Sequence, residues 1–171
     1  MTTPVKVVKT AELAPQSAVE SKQAWADHHS ATADVPVATP EDIEWADAVM
    51  FGSPSRFGTI AAQLKQYIDA LGPLWMQGKL ADKVSSGFVS TTTAHGGQET
   101  TLQALYTMIH HFGGILVAPG FTDPVKFVDD NPYGTSHVDA QGTIPISDVT
   151  RSAAKVQAER VVKIASLIKG E

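Results

Sequence analysis

The apolar and polar positions of the chain change period several times, and each change marks an element. Ala48-Val49-Met50-Phe51 is a continuous apolar run without alternation. Such a run is the pattern of a strand buried on both faces, the usual state in a parallel sheet. Gly52-Ser53-Pro54-Ser55-Arg56-Phe57-Gly58 then interrupts it. Pro54 lacks a backbone donor and fixes its own φ, and the two glycines permit close backbone approach. Beyond Gly58, Ile60, Leu64, Ile68 and Leu71 recur at helical spacing. Strand, polar loop and helix make half of a βαβ unit. In open α/β sheets, ligands sit at such loops, outside the carboxyl ends of the strands.

The rest of the chain repeats this grammar. Residues 5–8 form a short β-prone run. Residues 9–39 are rich in Ala, Ser, Asp, His and Pro and lack a sustained apolar period. They read as a mostly exposed segment with one short helix over 21–27. Thr39-Pro40-Glu41-Asp42 reads as a helix start, with Thr39 as N-cap, Pro40 in the first position and carboxylates in the first turn. Residues 72–78 form a turn-rich connection carrying Trp75. Residues 84–89 form a second buried strand, leading into the hydroxyl- and glycine-rich loop 90–97. A helix follows from Gln98, with Leu102, Leu105, Ile109 and Phe112 on one face, ended by Gly113-Gly114. Residues 115–117 form a third buried strand. Residues 121–147 read as loop, with a turn at Asn131-Pro132-Tyr133-Gly134. A final amphipathic helix over 150–169 turns Ala153, Val156, Ile164 and Leu167 inward. Alternating strands and helices of this length predict a single α/β domain, residues 1–171, around a parallel sheet.

Composition narrows the function. A net charge of −5 argues against a general nucleic-acid binder, which needs a basic face. No apolar run approaches the ~18 residues of a membrane span. The first residues lack the apolar core of a signal peptide. The chain has no cysteine, hence no disulfide framework or thiolate site. A cytoplasmic location fits these features best.

The candidate chemistry lies in the two polar loops after the first two buried strands. A planar ring with polar edges fits between such loops. Backbone N–H groups can face the ring's oxygens and nitrogens, and Ser and Thr hydroxyls can donate or accept. Phe57 and Trp75 can supply apolar faces; the alternative is ordinary loops with both residues in the core, and two such loops in serial order favour the ligand. Two readings are open for Arg56. It precedes a helix N-terminus, where the macrodipole disfavours a cation, so an electron-rich ligand would offset that cost; otherwise it is a solvated loop arginine. His110 and His111 point ~100° apart on a helix and cannot easily share an ion. No Cys and no His-x-x-x-His spacing supports a metal. His95-Gly96-Gly97 is reminiscent of an esterase oxyanion tripeptide, but no Gly-x-Ser-x-Gly elbow exists in the chain.

Longer stretches resemble a known family. PVATPEDIEWADAVMFGSPSRFG, QLKQYIDALGPLW, SSGFVSTTTAHGGQETTL and HHFGG, in this order, resemble the tryptophan-repressor-binding-protein type of NAD(P)H:quinone oxidoreductase. The resemblance runs from about Val5 into the last helix. It implies a flavodoxin-like three-layer α/β sandwich, FMN as cofactor, NADH or NADPH as electron donor, a quinone as substrate and a homotetramer. Carried over by position, Pro54, Ser55, Arg56, Phe57 and Gly58 match the first isoalloxazine loop. Ser90, Thr91, Thr92, Thr93, Ala94, His95 and Gly96 match the second, which is one residue longer here. His111 matches a histidine reaching a neighbouring subunit's flavin site, and Trp75 a tryptophan of the substrate pocket. No side chain is implied as catalytic acid or base.

One departure is large. The family opens with a strand, a Ser/Thr/Gly-rich loop and a helix that hold the FMN phosphate, and no such segment is present. MTTPVKV resembles the family's start and VVKTAELAP its second strand. The expectation is therefore four core strands instead of five, with residues 5–8 in the central slot. The alternative function is a non-catalytic flavodoxin-like oligomeric module that has lost FMN.

Overall fold

The computed structural model describes residues 3–170. Its sheet is parallel and is built on β2 (Val84–Thr91). On one side β2 pairs in full with β1 (Ala48–Pro54), from Ala48↔Val84 to Pro54↔Ser90. On the other side it pairs with two short strands lying end to end. β3 (Ile115–Leu116) meets its first residues and β4 (Thr135–Val138) its last. The fold is thus α/β, with a parallel sheet of four strands.

One expected strand is missing from this sheet and one unexpected strand takes its place in the count. Residues 5–8 do not enter the sheet. Val5 and Val7 are 77% and 73% exposed, and Lys6 reaches Asp42 and the Trp45 ring. A β-prone run forms a strand only where an edge pairs with it, and only Lys9 here makes a bridge, to Val37. The fourth strand is β4, inside the segment read as loop. Its residues, Thr-Ser-His-Val, are too polar and too few to signal a strand. The upper edge of β2 imposes it, and the buried Gln157 accepts the Thr135 N–H at 2.8 Å.

The helices lie on both faces. On one side α4 (Ala62–Ala70) and α6 (Gln98–Phe112) pack with α3 (Pro40–Trp45) in the larger core: Ile43, Phe51, Leu64, Ile68, Val89, Leu102, Leu105 and Ile109. α3 begins as its sequence predicts, with Thr39 and Asp42 forming a reciprocal capping box. On the other side α8 (Asp148–Lys169) covers Val84 and Val117 with Val161 and Ala165. Its buried stripe is Ala153, Gln157, Val161 and Ala165; Leu167, expected inward, is 64% exposed. The stripe follows i+4 spacing, and Leu167 falls on its far side.

Smaller elements complete the chain. α1 (Gln16–Glu20) and α2 (Gln23–Ala31) pack together in the N-terminal segment, where one helix was expected. Residues 72–76 form a short helix, α5 (Gly72–Met76), and not the expected open turn. α7 (Lys126–Asp129) buries Lys126 against Asp129 within residues read as loop.

Candidate functional site

The register Pro54↔Ser90 ends β1 and β2 side by side. Their following loops therefore emerge together at the carboxyl edge of the sheet. Ser55 fastens them: its N–H donates to the Ser90 carbonyl at 2.8 Å, and its hydroxyl donates to the Gly96 carbonyl at 2.8 Å. The Thr101 Oγ1 lies 2.9 Å from the Ser55 Oγ and 2.7 Å from the Gly97 carbonyl. Beneath the first loop, Ser53 accepts the Ala61 N–H at 2.9 Å and so sets the entry into α4.

The loops also touch backbone to backbone. Gly97 has φ +84° and Gly58 φ +79°, the left-handed region where a side chain is strained. A Cβ on Gly97 would stand 2.8 Å from the Gly58 Cα. No residue with a side chain permits that approach. In the second loop, Thr91 donates to the Thr93 carbonyl at 2.8 Å, and Gln98 donates to Thr91 at 3.0 Å.

This arrangement leaves donors free. Among the described residues, the backbone N–H groups of Phe57, Gly58, Thr93, Ala94 and His95 make no hydrogen bond within the chain. The Phe57 ring is fully exposed at φ +53°, so it is not core. Beside the first loop runs an open groove of about 630 Å³ between α4 and α6. Arg56, Phe57, Thr59 and Ile60 line its mouth, and Gln63, Lys65, Ala104 and Met108 its length.

The expected site residues divide into two groups. Pro54 to Gly58 and Ser90 to Gly96 come together at the carboxyl edge. Trp75 and His111 do not join them. They meet each other, with the Trp75 indole donating to the His111 carbonyl at 2.9 Å. His111 lies at the far end of α6, about 20 Å of helix from the second loop at 1.5 Å per residue. Ser53 and Gly97 lie within the two loops the sequence singled out, without an individual role assigned there; Gln98 and Thr101, at the start of α6, also belong to the loop scaffold and were not foreseen. Thr101 could have been found as the residue one helical turn beyond Gly97; Gln98 carries no sequence signal of its own.

The donor set suits the ring of a flavin, a planar group with acceptors along one edge. A phosphate asks for charge-assisted donors. Here α6 opens with Glu99 in its first turn, and the Ser147 N-cap of α8 already serves Thr150. Arg56, whose Nη1 lies 3.2 Å from the Ser55 carbonyl, is the one Lys or Arg in the two loops. The ring of FMN fits these residues, and its phosphate finds no cradle among the described ones.

A family model described as NADPH-dependent FMN reductase matches residues 5–124. The chain belongs to this family. The match covers β1, β2, β3 and both loops, so the site geometry lies within it. An NAD(P)H dehydrogenase (quinone) of Deinococcus radiodurans is 44% identical over 97% of this chain and 82% of its own length. One from Azorhizobium caulinodans is 37% identical, covering 97% of this chain and 84% of its own. Among solved structures, a flavodoxin, WrbA-like protein from Agrobacterium tumefaciens superposes with a TM-score of 0.57 at 25% identity. That match covers 83% of this chain and 87% of the other. The apo form of an NADH:FMN oxidoreductase (EMOB) gives 0.52 at 16% identity, over 89% of this chain and 67% of the other, and supports the fold alone. Among the described residues, no helix is long and apolar enough to cross a membrane, and no group of His, Cys, Asp and Glu could hold a metal.

Proposed function

We propose that the protein is an NAD(P)H:quinone oxidoreductase whose redox group is FMN. The carrying observation is the convergence of loops 55–58 and 91–97, fastened by Ser55, with unspent backbone donors on both. Membership of the FMN reductase family and relatives named NAD(P)H dehydrogenase (quinone) agree with it. When bound, FMN supplies the two-electron chemistry that links a nicotinamide to a quinone. The chain's part is to hold and orient the ring. The N–H groups of Phe57, Gly58 and residues 93–95, which have no partner within the described chain, would hold the ring edge, and the Arg56 guanidinium would favour electron density there. The Phe57 ring offers an apolar wall. The family resemblance implies a homotetramer in which His111 reaches a neighbouring subunit's flavin site and Trp75 lines a substrate pocket; the helix length between these two residues and their own loops agrees with a role at another subunit's site.

Titration of the purified protein with FMN, read by flavin fluorescence quenching, tests this reading. Saturable quenching followed by NAD(P)H-dependent quinone reduction is expected. A second reading has its own support: no phosphate cradle is present among the described residues. On it, the protein is a flavodoxin-like assembly module without FMN. The flavin titration separates the two: the module quenches no flavin fluorescence, and its mass by light scattering is the same with and without FMN.

A further inference from the structure

The sheet ends at β1, and that edge is open. Which backbone groups face outward follows from the ladder. The Asp47 carbonyl accepts the Val84 N–H at 3.0 Å, and the Ser55 N–H donates to Ser90 at 2.8 Å. Odd-numbered residues therefore turn to β2, and in a strand the even-numbered ones turn the other way. Ala48, Met50 and Gly52 thus present their N–H and C=O groups at the open edge. None of the six makes a hydrogen bond within the described chain.

Natural edge strands are guarded by charges, prolines or bulges. Here residues 48–53 contain none of these, and the first proline is Pro54, past the last free donor. β1 also has the apolar composition of an interior strand yet sits at a boundary. Ala48, Val49 and Met50 are only half-buried, and Gly52 is exposed, whereas the same levels of β2 are buried up to Gly87. Apolar surface therefore flanks the free edge on both faces of the sheet.

We infer that this edge pairs with the β1 edge of a second copy of the chain, antiparallel and about a twofold axis at Met50. The free groups are self-complementary in that arrangement. Met50 faces Met50 of the partner subunit, and Ala48 faces Gly52 of the partner subunit at both ends. Each pair exchanges two N–H···O=C bonds, so every free donor and acceptor is used. No like charges meet: the nearest ionised side chain, Asp47, is already paired with Lys169 at 2.8 Å and falls opposite a serine. The result is one continuous sheet through two subunits, a head-to-head closed interface that cannot propagate into a fibre.

The test reads mass by light scattering at hundred-micromolar protein for the parent chain and for Met50→Pro. Proline is tolerated on an edge strand where the lost N–H faces outward, so β1–β2 pairing survives. The parent is expected to have at least twice the chain mass, and Met50→Pro half the parent's mass. Because the chain lacks cysteine, Met50→Cys adds a second measurement that does not depend on the proline variant folding. A short bifunctional thiol reagent should link Met50→Cys subunits in pairs, and leave the exposed α8 variant Lys155→Cys unlinked. A monomeric parent overturns the inference. So does a parent oligomer whose mass Met50→Pro leaves unchanged, or one in which Met50→Cys links no better than Lys155→Cys.

Discussion

Substituting Gly97 by alanine tests whether the contact between the two loops makes the site. The new Cβ would lie 2.8 Å from the Gly58 Cα, a backbone atom that cannot swing aside as a side-chain tip could. Gly97 also holds φ +84°, where an L side chain costs about 1–2 kcal/mol. Gly142 supplies the control. It has the same φ of +84°, with nothing within 4 Å of its would-be Cβ. Gly142→Ala should therefore show the backbone cost alone, a fall in Tm of roughly 2–8 °C for a domain of this size. Gly97→Ala carries that cost plus the overpacking of Gly58, typically about 1–3 kcal/mol. It also moves the loops apart. Losing two neutral hydrogen bonds to a ring, at ~0.5–1.5 kcal/mol each, weakens flavin affinity by roughly 5- to 150-fold at 1.4 kcal/mol per decade. Thermal melts and flavin titration on both variants read the two effects separately. Equal Tm losses in the two variants, with flavin affinity alike, would refute the view that glycine-to-glycine contact shapes the site.

Three further outcomes are expected. Gln157 is fully buried, accepts from Thr135 at 2.8 Å and donates to Ser86 and Gly87 at 2.7 Å; Ser86 keeps its bond to the Val117 carbonyl, so Gln157→Leu should cost roughly 2–6 kcal/mol in urea unfolding, at about 1–3 each for the Thr135 N–H and the Gly87 carbonyl, and a loss under about 1 kcal/mol would contradict the network. Burial raises the Tyr106 phenol to about 12, and burial followed by the charges of Asp42 and Glu41 raises Tyr67 to about 12. Both phenols are thus neutral longer in the folded chain than in the unfolded one, so stability is intact below pH ~10 and is lost as pH rises towards about 12. Absorbance titration at alkaline pH checks this, and two tyrosines ionising at the unfolded value would contradict it. Trp75→Ala, in FMN-loaded protein, should raise the KM for quinone about 3- to 10-fold with little change in kcat, from loss of ~0.5–1.5 kcal/mol of stacking; an unaltered KM would remove Trp75 from the substrate pocket.

What could be read from sequence was what local pattern controls. The three-four-three spacing from Leu102 to Phe112 defined α6, and Gly113 in the left-handed conformation ends it as expected. The apolar run at 48 and the stretch of small residues between Val84 and Val89 became β1 and β2, and the polar residues after each became the two loops. What partners impose was not legible. β4 exists because β2 has a free upper edge and Gln157, 22 residues later, captures Thr135. Residues 5–8 have strand composition and no edge to join. At the site, the loops were visible from Gly, Ser and Thr content, whereas the Gly58–Gly97 contact and the place of Thr101 depend on the parallel register of Pro54 with Ser90. Trp75 and His111 are near the loops in sequence pattern but a helix length away in space.

The central claim is that this chain holds a flavin by its ring, with two loops and without a phosphate cradle. Parallel titrations with FMN and with riboflavin, read by fluorescence quenching, test it most directly. Saturable binding of both, with dissociation constants within about threefold, less than the 1.4 kcal/mol of a decade, is the expected result. Binding of neither would contradict the claim, and so would FMN preferred by a hundredfold or more, which requires a phosphate site not found among the described residues.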